Sequence, residues 1–258
     1  MFKLTKRRRF VLTSLLLTIG LFLIQQSIFT NRYLAIGVLS LVSLVLSLWS
    51  LGIPINNRIW LFSWVLPFCF TVAISMFYFL LPASLLSLIP VLLLYLIGVY
   101  VLLLSQNIFF VTSIRTIQLY RSATAVSFLL TLLTAFLLYD TLFSFRLAYY
   151  FNLLFVWLVS FLLIIHSCWA SRLDMGMNAR LVVYSVILSW CTAMLAATIS
   201  FWPINITQGS LLITASIYVL IGTAQAKLND RLFQRIVKEY LIIGLIVVFA
   251  MIASTRWG

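Results

Sequence analysis

Acidic side chains are scarce in this chain of 258 residues, which holds only four: Asp140, Asp174, Asp230 and Glu239. Charged residues make up 8% of the sequence and hydrophobic residues 64%. A soluble globular domain is about 25% charged and about 45–50% apolar. Because a folded surface in water needs more polar side chains than this, the composition excludes a soluble domain and indicates a protein that folds in a bilayer.

Residue types that bind metals or perform catalysis are also sparse. The chain has one histidine, and its three cysteines, Cys69, Cys168 and Cys191, fall at no metal-ligand spacing. An odd number of cysteines does not complete a disulfide framework. We find no glycine-rich phosphate loop, H-E-x-x-H or G-x-S-x-G motif. We therefore predict no catalytic, cofactor-binding or metal-binding residues, and a protein that is not an enzyme.

Two ionisable residues fall at the ends of apolar runs. Asp140 is either an external general base or cation-site carboxylate, or a solvated acid at a helix end that pairs with Arg146; we favour the solvated acid. His166 is either a proton-handling residue or metal ligand, or an interfacial histidine. The lack of a second ligand at suitable spacing favours the interfacial histidine. The predicted spans separate the two residues by much of the hydrocarbon thickness, about 30 Å, so they are not expected to act together.

Nine apolar runs approach or exceed the length of about 20 residues that crosses a bilayer as a helix. They predict an all-α, polytopic helical bundle that forms a single transmembrane domain over residues 1–258. The predicted spans are 10–28, 33–51, 59–81, 85–104, 122–139, 147–166, 181–201, 209–225 and 241–255. The last two runs are the weakest, because one carries several polar groups and the other is short. If they formed a re-entrant pair, the count would be seven.

Basic residues set the predicted orientation. With the N-terminus cytoplasmic and the C-terminus outside, fourteen of the seventeen lysines and arginines lie inside, and only Arg32, Arg146 and Arg256 lie outside. This bias satisfies the positive-inside rule. The net charge of +13 then reflects topology and attraction to anionic lipid head groups, and we predict no binding of nucleic acid. The bias and the short loops favour a bacterial cytoplasmic membrane.

Two basic segments, 107–121 and 227–240, carry apolar residues at helical spacing. This pattern is typical of a helix that lies in the membrane interface with its cations among the lipid head groups. We therefore predict two amphipathic interfacial segments on the cytoplasmic side. The second segment is alternatively an extension of the last span.

Small hydroxyl residues recur at steps of three and four along three of the spans. The series are Ser40, Ser43, Ser47 and Ser50; Thr124, Ser127, Thr131 and Thr134; and Ser185, Ser189, Thr192 and Ala196. Each series lies on one helix face, where small residues allow close packing of helices. A polar lining for a substrate path is the alternative, but we favour packing because hydroxyls also bond the carbonyls of their own helix.

These features favour a non-enzymatic scaffold or assembly component of a membrane complex, with other membrane proteins as partners. The alternative is a permease for a neutral or lipid-like solute, suggested by the hydroxyl faces and by prolines in the third and fourth spans. A lipid-modifying enzyme that uses Asp140 is the least favoured hypothesis, because the spans contain so few ionisable residues.

Overall fold

The computed structural model describes residues 5–26, 31–52, 60–82, 84–113, 118–173, 179–229 and 233–255. Within these ranges the chain is all-helical, with 88% helix and no strand. The helices are α1 (Lys6–Gln25), α2 (Arg32–Leu51), α3 (Trp60–Ser63), α4 (Val65–Tyr78), α5 (Leu85–Thr112), α6 (Tyr120–Ser144), α7 (Tyr149–Ser171), α8 (Ala179–Ile199), α9 (Ile206–Leu228) and α10 (Gln234–Ser254).

Nine helical segments in the described ranges are long and apolar enough to cross a membrane, with α3 and α4 counted together as one. This confirms the predicted all-α, polytopic fold. The two weakest runs become α9, with 23 residues, and α10, with 21 residues. Both therefore have the length of a full span, as in the nine-span prediction. The orientation of the termini stays a prediction.

The third span is interrupted at Trp64, between α3 and α4. Pro67 explains the break, because it has no N–H to bond the carbonyl of Ser63 and its ring collides with that carbonyl in a continuous helix. Placed in the first turn of α4, the proline costs little. Pro90 lies early in α5, and this helix of 28 residues continues past it.

The two segments predicted as interfacial helices are, where described, parts of the spans. Residues 107–112 continue α5, and residues 120–121 begin α6. In the second segment, residues 227–228 end α9 and residues 234–240 form the first turns of α10. The positions between them, 114–117 and 230–232, lie outside the described residues. Whether these turns lie at the membrane interface stays a prediction.

The chain forms two compact units, Met1–Leu130 and Thr131–Gly258, with the boundary inside α6. The single transmembrane domain predicted from the sequence stays a prediction. In the first unit, α1 packs against α2 and α5, and α4 packs against α2 and α5. Its core includes Leu17, Leu66, Phe70 and Tyr95, each at most 1% exposed. Gly98 allows the ring of Phe70 to lie directly on the backbone of α5.

In the second unit, α7 packs along α8, α9 packs against both, and α10 packs against α9. Three side-chain contacts connect α6, α7 and α9 here. Tyr139 and Ser160 share a hydrogen bond of 2.8 Å between their hydroxyls. Gln225 Nε2 donates to the carbonyl and to the hydroxyl of Ser167, and each of these hydrogen bonds is 3.0 Å long. This unit contains the surfaces considered next.

Candidate functional site

The hydroxyl faces of α2 and α8 are buried and bonded within their own helices. All four serines of the α2 series, Ser40, Ser43, Ser47 and Ser50, donate to carbonyls three residues earlier over 2.7–2.9 Å. In α8, the Ser185 hydroxyl donates to a carbonyl four residues earlier over 2.8 Å. Hydroxyls satisfied in this way present a small, nearly apolar surface to neighbouring helices. The geometry agrees with a role in packing.

Asp140 lies inside the second unit, where it is 8% exposed. Its Oδ1 accepts a hydrogen bond of 3.1 Å from Ser210 Oγ on α9. In the described part of the chain no ion pair joins Asp140 to Arg146. The expectation of a solvated acid at a helix end therefore differs from the structure. The reason is that α6 continues to Ser144, which places Asp140 one turn before the helix end, against α9.

His166 is also buried, with no exposed surface. Its ring centroid lies 6.0 Å from that of Trp169. α7 continues past it to Ser171, so His166 is not at the helix end where the sequence analysis placed it. Among the described residues there is no cluster of three or more His, Cys, Asp and Glu side chains able to hold a metal.

A pocket of about 400 Å³ lies at the end of the second unit where α6 and α8 end and α7 and α9 begin. We call it the Asn152 pocket. Its polar lining residues are Arg146, Asn152, Ser200 and Asn205, and its aromatic lining residues are Tyr149, Phe201 and Trp202. Phe143, one turn after Asp140, and Gly209, beside Ser210, also line it. The pair of Asp140 and Ser210 therefore lies next to its wall.

Asn152 is 5% exposed and lines this pocket. Its Nδ2 donates to the carbonyl of Leu147 and to Ser200 Oγ, and each of these hydrogen bonds is 3.3 Å long. Because a carbonyl only accepts, the contact with Leu147 fixes which amide atom is nitrogen. The other atom, Oδ1, is buried and accepts no hydrogen bond in the structure. Such an acceptor costs about 1–3 kcal/mol when nothing bonds it.

Arg146 lines the pocket from the turn that follows α6. Its backbone has φ of 47°, in the left-handed region. That conformation costs a non-glycine residue about 1–2 kcal/mol. Strained backbone of this kind often occurs at binding sites, where the surrounding structure holds it in place. The turn thus holds a cation in the lining of the pocket that Asn152 also lines.

A second concave surface, of about 530 Å³, lies between α8, α9 and α10. We call it the α10 groove. Its lining is apolar and includes the small residues Ala215, Ser216 and Gly244. At one end of α10, the ring of Tyr240 lies on Gly222 of α9. Met251 is the one buried residue among positions 234–254, so α10 leaves most of its apolar surface uncovered.

The sequence analysis found neither surface. Asn152 is one amide in an apolar run, and Ser200, its partner, lies 48 positions away. A lone amide inside a predicted span is the signal that marks the position. The groove has no such signal, because it depends on which helices pack beside α10.

One protein family matches the chain. The family described as "Protein of unknown function (DUF5656)" matches residues 51–254. The match begins at the last residue of α2 and runs through α10, so it includes every helix that forms the Asn152 pocket and the α10 groove. No curated protein matches the chain, and no solved structure matches it.

Proposed function

The chain belongs to the family of proteins of unknown function described as DUF5656, and we propose that it is a non-enzymatic component of a membrane assembly. In this proposal α10 is the helix that contacts a partner. One observation carries it: α10 is an apolar helix of 21 residues that packs against α9 and buries one side chain, Met251.

The exposed face of α10 is large and apolar. Leu245, Ile246 and Phe249 are 68%, 61% and 73% exposed. Lipid alone would cover such a face, but the α10 groove beside it adds a feature that a partner helix would use. The small side chains at Ala215, Ser216 and Gly244 let a second backbone approach closely, which is how helices gain specific contact in lipid. We therefore propose a transmembrane helix of another membrane protein, with apolar side chains that fill the groove, as the occupant.

The proposal also includes a location. We propose a bacterial cytoplasmic membrane with the N-terminus inside, where the first cations meet anionic lipid head groups. Lys6 Nζ lies 5.4 Å from the ring centroid of Phe110, and the Arg9 guanidinium lies 5.5 Å from that of Trp49. These aromatic contacts hold both cations near the start of α1, the end that the proposed orientation assigns to the cytoplasmic leaflet.

The first experiment is site-specific photocrosslinking in the native membrane. A photoreactive residue at Leu245 should form a discrete adduct with another membrane protein. The matched control is Val183 on α8, which is 54% exposed and outside the α10 groove. Adducts with lipid only at both positions would contradict the proposal, as would an adduct with a second copy of the chain.

The second experiment fills the groove. Gly244→Phe should remove the complex seen by native mass spectrometry after gentle extraction. Gly244→Ala should keep it, because the nearest atom to an added Cβ is Val219 Cγ2 at 3.6 Å, an ordinary contact. An unchanged complex with Gly244→Phe would exclude the groove as the contact surface.

A second candidate function is a permease for a neutral or lipid-like solute. The observation that favours it is the Asn152 pocket, which brings polar and aromatic side chains together at one end of the second unit. Reconstituted vesicles should then show flux of a neutral solute that Asn152→Leu reduces. A broad panel of solutes without flux would exclude transport.

A further inference from the structure

We propose that the Asn152 pocket binds the head group of a phospholipid that carries free hydroxyls beside its phosphate, such as a glycerol head group. The proposal does not depend on the scaffold function. It starts from Asn152, which lines the pocket and whose buried Oδ1 accepts no hydrogen bond in the structure. A ligand that donates one hydrogen bond would satisfy it.

The donor is expected to be a hydroxyl and not an ammonium group. Arg146 lines the same pocket, and its positive charge disfavours a second cation beside it. The carboxyl of Asp140, the one acid in residues 131–173, is 8% exposed and already accepts a hydrogen bond from Ser210. A neutral hydroxyl therefore suits the position next to Asn152 better than an amine does.

Arg146 also supplies the second half of the recognition. A guanidinium binds phosphate oxygens with charge-assisted hydrogen bonds in a fixed fork. A phosphate held by Arg146 and a hydroxyl held by Asn152 belong together in a hydroxylated phosphate ester. Ser200 and Asn205 line the same pocket; the Ser200 hydroxyl already donates to the carbonyl of Ala196 and accepts from Asn152, so Asn205 is the additional polar side chain.

The aromatic residues identify a lipid as the source of this ester. Tyr149, Phe201 and Trp202 line the pocket, and tyrosine and tryptophan typically lie at the level of lipid head groups. Tyr149 and Phe201, 52% and 74% exposed, have ring centroids 5.4 Å apart. A head group in the pocket would leave its acyl chains beside these rings, in the bilayer.

The test compares lipids that differ in one feature. Purified full-length protein in nanodiscs of phosphatidylcholine is supplemented with phosphatidylglycerol, or with phosphatidic acid as the anionic control that lacks a glycerol head group. We expect phosphatidylglycerol to be retained preferentially in native mass spectra. Equal retention of the two anionic lipids would overturn the proposal. Soluble glycerol phosphate that displaces phosphatidylglycerol at matched concentration would overturn the assignment to a lipid.

Two variants separate the contributions of the residues. Asn152→Leu should reduce the preference for phosphatidylglycerol over phosphatidic acid by about threefold to tenfold, the value of one hydrogen bond. Arg146→Gln should weaken the binding of both anionic lipids by about tenfold. It should leave the preference for phosphatidylglycerol over phosphatidic acid unchanged. Because Asn152→Leu also removes two internal hydrogen bonds, Arg146→Gln keeps the test valid if the first variant fails to fold.

Arg121→Gln is the matched control, since Arg121 is exposed and lies outside the pocket. It should leave both preferences as they are in the wild type. If Arg121→Gln weakened the binding of both anionic lipids as much as Arg146→Gln does, only overall charge would matter, and the pocket would not be the site.

Discussion

Ser210 Oγ on α9 lies 3.1 Å from Asp140 Oδ1 on α6, across 70 positions of sequence, and its one hydrogen is shared between this carboxyl oxygen and the carbonyl of Thr207 at 2.9 Å. Both residues are buried, so water does not replace this contact when it is lost. Asp140 is thus held by a neighbouring helix of the second unit, next to the wall of the Asn152 pocket.

We expect Ser210→Ala to lower the free energy of unfolding by about 1–3 kcal/mol, because it removes the donor that serves a buried carboxyl group. The measurement is the midpoint of thermal unfolding in detergent. Ser216→Ala is the matched control on the same helix. The Ser216 hydroxyl bonds the carbonyl of Leu212 over 2.8 Å, within α9. Equal losses for the two variants would show that the contact with Asp140 contributes nothing.

Gly222 of α9 lies directly against the ring of Tyr240 of α10. A Cβ added there would overlap Cε1 and Cζ of the Tyr240 ring, which is closer than atoms can pack. We expect Gly222→Ala to push the Tyr240 ring away and to cost about 1–3 kcal/mol, as overpacking does. Gly244→Ala should be neutral or stabilising by up to about 1 kcal/mol.

The readout for the Gly222 prediction is limited proteolysis at the junction of α9 and α10, together with the unfolding midpoint. Tyr240→Ala in the Gly222→Ala background should restore protection, because it removes the ring that the new methyl group meets. If the Gly222→Ala variant resists proteolysis as well as the wild type does, the close approach of Tyr240 does not constrain this helix pair.

Most of the fold could be predicted from apolar runs alone. In hydrocarbon every backbone polar group must be bonded within the segment, so a long apolar run becomes a helix. The ends of the helices could not be predicted as well. Two of the predicted spans end at 104 and 139, before Ser105 and Asp140, because polar residues are expected to face water. The structure buries both residues, and α5 and α6 continue to Thr112 and Ser144.

The candidate site could not be predicted from the sequence, for a different reason. Asn152, Ser200 and Arg146 come together only because α6 and α8 end where α7 begins. Apolar periodicity predicts that a helix exists but not which of its neighbours it meets. The hydroxyl series were easier to interpret, since their hydrogen bonds are local and follow from helix geometry.

The hydroxyl face of α2 provides a direct test of packing against a polar path. Ser43 is buried and its hydroxyl bonds the carbonyl of Ser40 over 2.7 Å. If the face serves packing, Ser43→Ala should change the stability by less than about 1 kcal/mol, because the hydroxyl only serves its own helix. Ser43→Leu should cost about 1–3 kcal/mol through overpacking. Leucine introduced at an exposed position of α2, Val45→Leu, is the control and should be neutral.

Thr71 and Tyr95 connect α4 and α5 in the first unit through their hydroxyls, which lie 3.0 Å apart. Thr71 Oγ1 also donates to the carbonyl of Pro67 over 2.8 Å. Its single hydrogen is therefore used within α4, and Tyr95 is the donor between the two helices. Tyr95→Phe removes that donor and should cost about 0.6 kcal/mol, with about 1.7 kcal/mol as the upper bound for hydrogen bonds between transmembrane helices. A double-mutant cycle with Thr71→Val isolates the pair.

Tyr33→Phe, at a side chain that is 69% exposed, should cost nothing. A coupling energy of zero between positions 71 and 95 would show that α4 and α5 are held by apolar packing alone, such as that of Phe70 on Gly98.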